Sequence, residues 1–202
     1  MQARERANGD TASRILDVAE RLVQLRGFNG FSYADVAAEL NVTKAGLHYH
    51  FAGKAELGEA LITRYARRFA EALAAIDGTG ADPRAELEAY AALYAGVLRG
   101  KRMCLCGMLA AEYQTLPEPM QDAVIRFFDD NEAWLEVVLE KGRAEGTFHF
   151  RESAREAARL VISALEGAML TARPYGDVER FQASASALLS SLASATTPSQ
   201  KL

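Results

Sequence analysis

Apolar residues recur at helical spacing along most of this chain, and the breaks between the runs carry capping and turn residues. Ile15, Val18, Ala19, Leu22, Val23 and Leu25 mark a first helix, with Asp10 or Thr11 as its cap and Gly27 at its end. Ser32 followed by Asp35 makes a capping box that opens a second helix, with Val36, Ala37 and Leu40 facing inward. Asn41 makes a turn, Thr43 caps a third helix, and Leu47 and Phe51 plug back into a small core. A long fourth helix is predicted from about Lys54 to Ile76, within residues 54–76.

Asp77-Gly-Thr-Gly-Ala-Asp-Pro reads as a linker whose Asp82 and Pro83 cap and open the next helix, through about Leu98. A short apolar helix from about Cys104 to Tyr113 lies between the breaks Arg99-Gly-Lys-Arg and Leu116-Pro-Glu-Pro. From Met120, the positions Val124, Phe127, Phe128, Trp134, Leu135, Val138 and Leu139 trace one face of a long amphipathic helix, ended by Gly142 to Gly146. Two more helices follow at about 152–172 and 177–193, split by Pro174-Tyr-Gly. The expected fold is all-α: a three-helix N-terminal domain over residues 1–54, with a polar arm at about 1–9 carrying Arg4 and Arg6, then about six helices over 55–202. The last ten residues, about 193–202, are polar and expected to fray.

Composition agrees, since alanine and leucine dominate and proline is scarce. No apolar run approaches the roughly 20 residues of a membrane span, and the start lacks a signal-peptide core, so a cytoplasmic protein with no membrane partner is expected. Charge sharpens the picture more than composition does. The net charge is −4, yet residues 1–54 sum to +1 and residues 55–202 to −5. A near-neutral first part on an acidic remainder suits contact with a polyanion through one face only.

Two short helices around a tight turn, with no acid between Glu39 and Glu56, have the pattern of a helix-turn-helix DNA reader. A helix entering a major groove needs small or polar residues at its leading end, which Thr43, Lys44, Ala45 and Gly46 supply. Its amides and the Thr43 hydroxyl suit phosphate oxygens, and Lys44 suits phosphate or a guanine edge. His48 and Tyr49 project from the next turn. Lys54 stands at the start of the fourth helix, and Ser32 and Tyr33 at the start of the second, each an amide-rich end suited to phosphate. A two-helix corner without DNA would show the same spacing, and His50 reads equally well as a packing residue.

The run Val42-Thr-Lys-Ala-Gly-Leu-His-Tyr-His-Phe-Ala-Gly-Lys, preceded by Phe31-Ser-Tyr-Ala-Asp-Val-Ala, resembles the signature of the TetR family of one-component transcriptional regulators. The resemblance covers about residues 11–60. It implies a homodimer that binds double-stranded DNA at a palindromic operator, represses, and leaves when a small-molecule effector enters the C-terminal part. It also places Thr43, Lys44, His48, Tyr49 and Lys54 on positions that typically touch DNA, and Ser32 on a phosphate contact. Two departures stand out: His48 where the family often has tyrosine, and Gly53 where it often has a serine cap.

Beyond the resemblance, Tyr90, Tyr94, Met103, Met108, Tyr113, Phe127, Phe128 and Trp134 are the candidate lining of an effector pocket for an apolar or aromatic ligand. Such stripes also build plain core. The last two helices, with Ala157, Ala158, Val161, Ala164, Leu165, Gly167, Ala168 and Met169 on one and Phe181, Ala185, Leu188, Leu189 and Leu192 on the other, are the expected dimer face or simply core. Cys104 and Cys106, just after Lys101 and Arg102, read either as small buried hydrophobes or as a thiol sensor of oxidants or electrophiles. No metal site and no cofactor are expected. An enzyme is not expected either, since no nucleophile–base pair or phosphate-binding glycine loop is present and His149 stands alone near a turn.

Overall fold

The structure, a computed structural model, describes residues 2–193, with side chains described from residue 10 onward. Among the described residues nine α-helices and two short 3-10 turns account for all regular structure. They are α1 (Gln2–Arg26), α2 (Tyr33–Leu40), α3 (Lys44–His50), α4 (Lys54–Asp77), α5 (Pro83–Arg99), α6 (Leu105–Ala111), α7 (Glu118–Ala144), α8 (Ala154–Ala172) and α9 (Val178–Ala193). No helix among them is long and apolar enough to cross a membrane.

The all-α expectation holds, and most boundaries fall within two residues of those read from caps. One differs widely. The backbone of residues 2–9, expected as an arm, belongs to α1, so neither Asp10 nor Thr11 caps it. The good helix formers from Gln2 to Ala7 carry the helix through Asn8 and Gly9. The side chains of Arg4 and Arg6 and the tail at 194–202 lie outside the described residues.

The chain forms two compact units, Met1–Phe69 with Arg102–Phe127, and Ala70–Lys101 with Phe128–Leu202. The expected boundary at 54/55 therefore falls inside the first unit. There Ile15, Ala19, Leu22 and Val23 of α1 are buried with Val36 and Ala37 of α2, Leu47 of α3, Phe51, and Leu57 and Leu61 of α4. Glu20, itself buried, is matched by two guanidinium groups of α4: Arg64 at 2.9 Å, which also meets Asp17 at 2.8 Å, and Arg68 at 2.5 Å. A buried carboxylate needs such partners, so the trio fixes how α4 lies on α1.

In the second unit α5, α8 and α9 pack on one another. Leu87, Tyr90 and Ala91 of α5, Leu135 and Leu139 of α7, Val161 and Leu165 of α8, and Phe181, Ala185 and Leu189 of α9 are buried there. The end of α7 falls within the expected stretch from Gly142 to Gly146, but Gly142 itself is still helical. The helix runs on to Ala144, and Gly142 leaves the room that the buried Phe148 ring occupies.

Candidate nucleic-acid interface

The helix-turn-helix is built by local chemistry. The Asp35 carboxylate accepts the Ser32 N–H at 2.7 Å and the Ser32 hydroxyl at 2.6 Å. These two bonds hold that carboxyl below its usual range, because the charged form is the better acceptor. Asn41 ends α2 with φ 53°, a left-handed turn that asparagine tolerates. The Thr43 hydroxyl oxygen accepts the Gly46 N–H at 3.2 Å and opens α3. Phe51 ends it, its N–H on the Leu47 carbonyl at 2.9 Å. The α2 acids are balanced: Glu39 pairs with Arg21, and Asp35 lies 4.0 Å from Arg26.

Of the eight residues picked from sequence, seven fall into two sets and His48 stands between them. Thr43, Lys44, Ala45 and Tyr49 face solvent on and just ahead of α3. Tyr49 is 76 % exposed, a large aromatic side chain that nothing in the fold covers, edge-on to His50 with ring centroids 5.3 Å apart. The Thr43 oxygen is used as an acceptor, which leaves its O–H to donate outward.

The other set is engaged inside the unit. The Ser32 hydroxyl hydrogen goes to Asp35. The Tyr33 hydroxyl donates to the Phe51 carbonyl at 3.0 Å, and burial together with the Glu56 charge pushes its pKa up to about 12. The Lys54 ammonium donates to the Phe31 carbonyl at 2.5 Å and lies over the Phe28 and Phe31 rings, 4.6 and 4.4 Å from their centroids. Burial lowers its pKa, against the opposing pull of Glu112 and Asp35. A phosphate contact from Lys54 would first have to remove it from that carbonyl.

His48 is intermediate. It is exposed, its ring lies 4.8 Å from that of Tyr33, and its Nδ1 is 3.0 Å from the Ala52 carbonyl. That carbonyl can only accept, so Nδ1 carries the proton and the outward Nε2 of a neutral ring is an acceptor. A contact to phosphate from Nε2 as donor therefore requires the protonated ring.

Gly53 is not required by backbone geometry, and a Cβ there would meet nothing within 4 Å. The Glu56 carboxylate accepts the Ala52 N–H at 2.7 Å, just ahead of α4. Glu112, which sequence reasoning passed over, accepts two backbone N–H groups of the α1–α2 turn. Nothing in the local sequence signals a partner 84 residues away.

The aromatic candidates separate as well. Tyr90, Tyr94, Phe128 and Trp134 belong to the second unit, and Met103, Met108, Tyr113 and Phe127 to the first. In the second unit the Tyr90 hydroxyl lies 3.1 Å from that of Tyr94 and donates to Asn131 Oδ1 at 3.1 Å. The Tyr90 ring stacks on Trp134 at 5.6 Å, and the Trp134 indole N–H donates to Asp77 at 2.9 Å. In the first, Phe127 packs on Tyr65 and Phe69, 5.6 and 5.3 Å between centroids.

Both cysteines are buried and unbridged. Cys104 ends the approach to α6, its sulfur accepting the Gly107 N–H at 3.5 Å and facing the Tyr65 hydroxyl at 3.7 Å. Burial of both thiols favours the packing reading over the sensor. Among the described residues no group of three or more His, Cys, Asp or Glu side chains is placed to hold a metal ion.

Known proteins place this geometry in a family. Residues 15–61 match the family described as bacterial regulatory proteins, tetR family, and residues 83–188 match the tetracyclin repressor-like C-terminal domain. The HTH-type transcriptional regulator LmrA of Bacillus subtilis (strain 168) is 28 % identical over 170 residues, spanning 80 % of this chain and 86 % of that protein. A TetR-family regulator from Agrobacterium tumefaciens superposes with a TM-score of 0.89 at 31 % identity, covering 93 % of this chain and all (100 %) of that one. A TetR regulator from Legionella pneumophila does so with a TM-score of 0.77 at 33 % identity, over 89 % and 95 % of the two chains. With a helix-turn-helix over Tyr33–His50 and matches on both sides of the 62–82 stretch, the chain belongs to the TetR family of bacterial transcriptional regulators.

Proposed function

We propose that this protein is a homodimeric repressor that reads a palindromic operator through α3 and is released by a small apolar or aromatic effector. The observation that carries the reading is the solvent face of α3, where Thr43, Lys44, Ala45 and Tyr49 stand together on an acid-free stretch. Lys44 and Tyr49 read base edges, with Ala45 allowing close approach, and Thr43 and the α3 amides hold phosphate. Ser32, Tyr33 and Lys54 act mainly by holding the helix-turn-helix in shape. One short reader helix makes too few contacts for specific affinity, so two copies on half-sites about 34–36 Å apart are needed.

The second unit supplies dimerisation and effector binding. The chain of hydroxyl and amide groups through Tyr94, Tyr90 and Asn131, beside the Trp134 indole, gives an aromatic setting with a few polar anchors. The functional division at about residue 54 then separates reader from control, although the compact first unit extends beyond it.

The test is direct. Duplexes retained by the purified protein from a random library are sequenced, and the selected palindrome is titrated by gel shift at fixed salt. Lys44→Ala and Tyr49→Ala are each expected to weaken binding by about tenfold or more, at roughly 1–3 kcal/mol per base contact, with the thermal midpoint little changed. Unchanged affinity in both variants would take the reading role away from α3.

A further inference from the structure

The turn joining α1 to α2 sets where the reader helices begin, and a distant segment of the same unit grips it. Glu112, which follows the last residue of α6, accepts the Phe28 N–H at 2.5 Å on one carboxylate oxygen and the Asn29 N–H at 3.2 Å on the other. The Asn29 side-chain amide donates to the Thr115 hydroxyl at 2.7 Å, and that hydroxyl donates to the Glu112 carbonyl at 2.8 Å. Close by, the Met103 N–H reaches the Gln24 carbonyl at 3.2 Å and Arg102 reaches the Gln24 side chain at 3.3 Å.

The turn does not need this carboxylate to close. Gly27, at φ 83°, already donates to the Val23 carbonyl at 2.8 Å, and Gly30 donates to the Gly27 carbonyl at 3.3 Å. The Glu112 bonds therefore add docking to a conformation that local chemistry has set, and they are of the charge-assisted kind. The fit is close, since a Cβ on Gly27 would lie 2.8 Å from the carboxylate. Beyond it, α7 begins at Glu118 and is one continuous helix to Ala144, so it starts in the first unit and ends in the second.

Resting on the dimeric-repressor reading above, we propose that Glu112 is a positioning residue for operator recognition. It latches the α1–α2 turn, and with it the reader helices, to the segment that leads into α7. A shift of α6 or of the start of α7 is delivered to the reader through this carboxylate. The latch fixes where α3 stands rather than what it touches, so it matters when two half-sites must be met at a set spacing and not when one is met alone.

The probes are a palindromic duplex selected by the wild type from a random library and a duplex carrying one of its half-sites. Glu112→Gln keeps the side-chain shape and loses the charge and one acceptor oxygen. Its affinity for the palindrome is expected to fall about tenfold while half-site affinity stays within about twofold, with faster amide exchange across residues 27–40. Equal loss on both duplexes, or loss on neither, overturns the positioning role. If thermal unfolding shows that Glu112→Gln does not fold, Thr115→Val decides, since it removes the Asn29 acceptor and the hydroxyl donor to the Glu112 carbonyl but leaves the carboxylate in place. A palindrome-selective loss of about threefold is expected from it, and no such loss overturns the proposal. A wild type that retains no palindromic duplex refutes the dimeric reading itself, a result distinct from a variant that binds both probes normally.

Discussion

A single hydrogen bond decides what His48 can offer to DNA. With Nδ1–H held by the Ala52 carbonyl, a neutral ring turns an acceptor outward and only the protonated ring presents a donor to phosphate. Fluorescence anisotropy of a labelled operator with His48→Ala tests whether the ring touches DNA: a loss of about threefold is expected, and unchanged affinity would show that His48 makes no phosphate contact. Asp35 carries a pH effect, on stability. Its folded pKa lies below the unfolded value, so its contribution is present above about pH 4 and disappears as pH falls further. Asp35→Asn should therefore lose less thermal stability than the wild type on going from about pH 5 to pH 2.

At the scale of elements, Gly142 tests whether a helix glycine is an end signal or a packing device. A Cβ there would overlap the Phe148 ring and come within 3.0 Å of Pro83, and Phe148 is too deeply buried to swing away. Overpacking of this kind costs about 1–3 kcal/mol, while replacing glycine by alanine within a helix returns about 0.5–1. Gly142→Ala is thus expected to destabilise by about 1–2 kcal/mol in urea unfolding, and Phe148→Leu in the same chain should recover part of that loss. Additive costs would show that the two sites do not meet. Gly142 also marks the limit of reading elements from sequence. Caps such as Ser32 with Asp35, Thr43 and Asp82 act within three residues and were legible. The role of Gly142 depends on a ring brought there by a turn, and the carboxylate of Glu112 depends on packing across 84 residues. The same limit explains Lys54. Its position at a helix start is written in the sequence, but the Phe28 and Phe31 rings that hold it are brought together only by folding.

At the scale of the whole molecule, the family and the helix-turn-helix were legible because both rest on short-range residue patterns, whereas the apolar faces of the last two helices read equally as dimer contact or as core. Most of the apolar residues expected to pair across copies close the chain's own core instead: Ala157, Ala158, Val161, Leu165, Ala168 and Met169 of α8, and Phe181, Ala185, Leu189 and Leu192 of α9, are buried within one chain. Helical periodicity reports that a face is apolar, not which neighbour covers it. The outward side of α8 is different. Leu160 and Leu170 are 55 % and 61 % exposed, and between them Gly167 has open space where a Cβ would stand. Leu160 and Gly167 lie two turns apart and Leu170 follows one turn later, so the three line a strip where a second helix can approach closely. If that strip is the dimer contact, Leu160→Glu with Leu170→Glu places two carboxylates per copy against their symmetry mates, where burial and like charge both oppose association. Sedimentation at micromolar concentration should then show a folded monomer with helix content preserved. Affinity for the palindrome should collapse to that for a single half-site, since α3 itself is untouched. A variant that remains dimeric would move the contact to another face of α8 or α9.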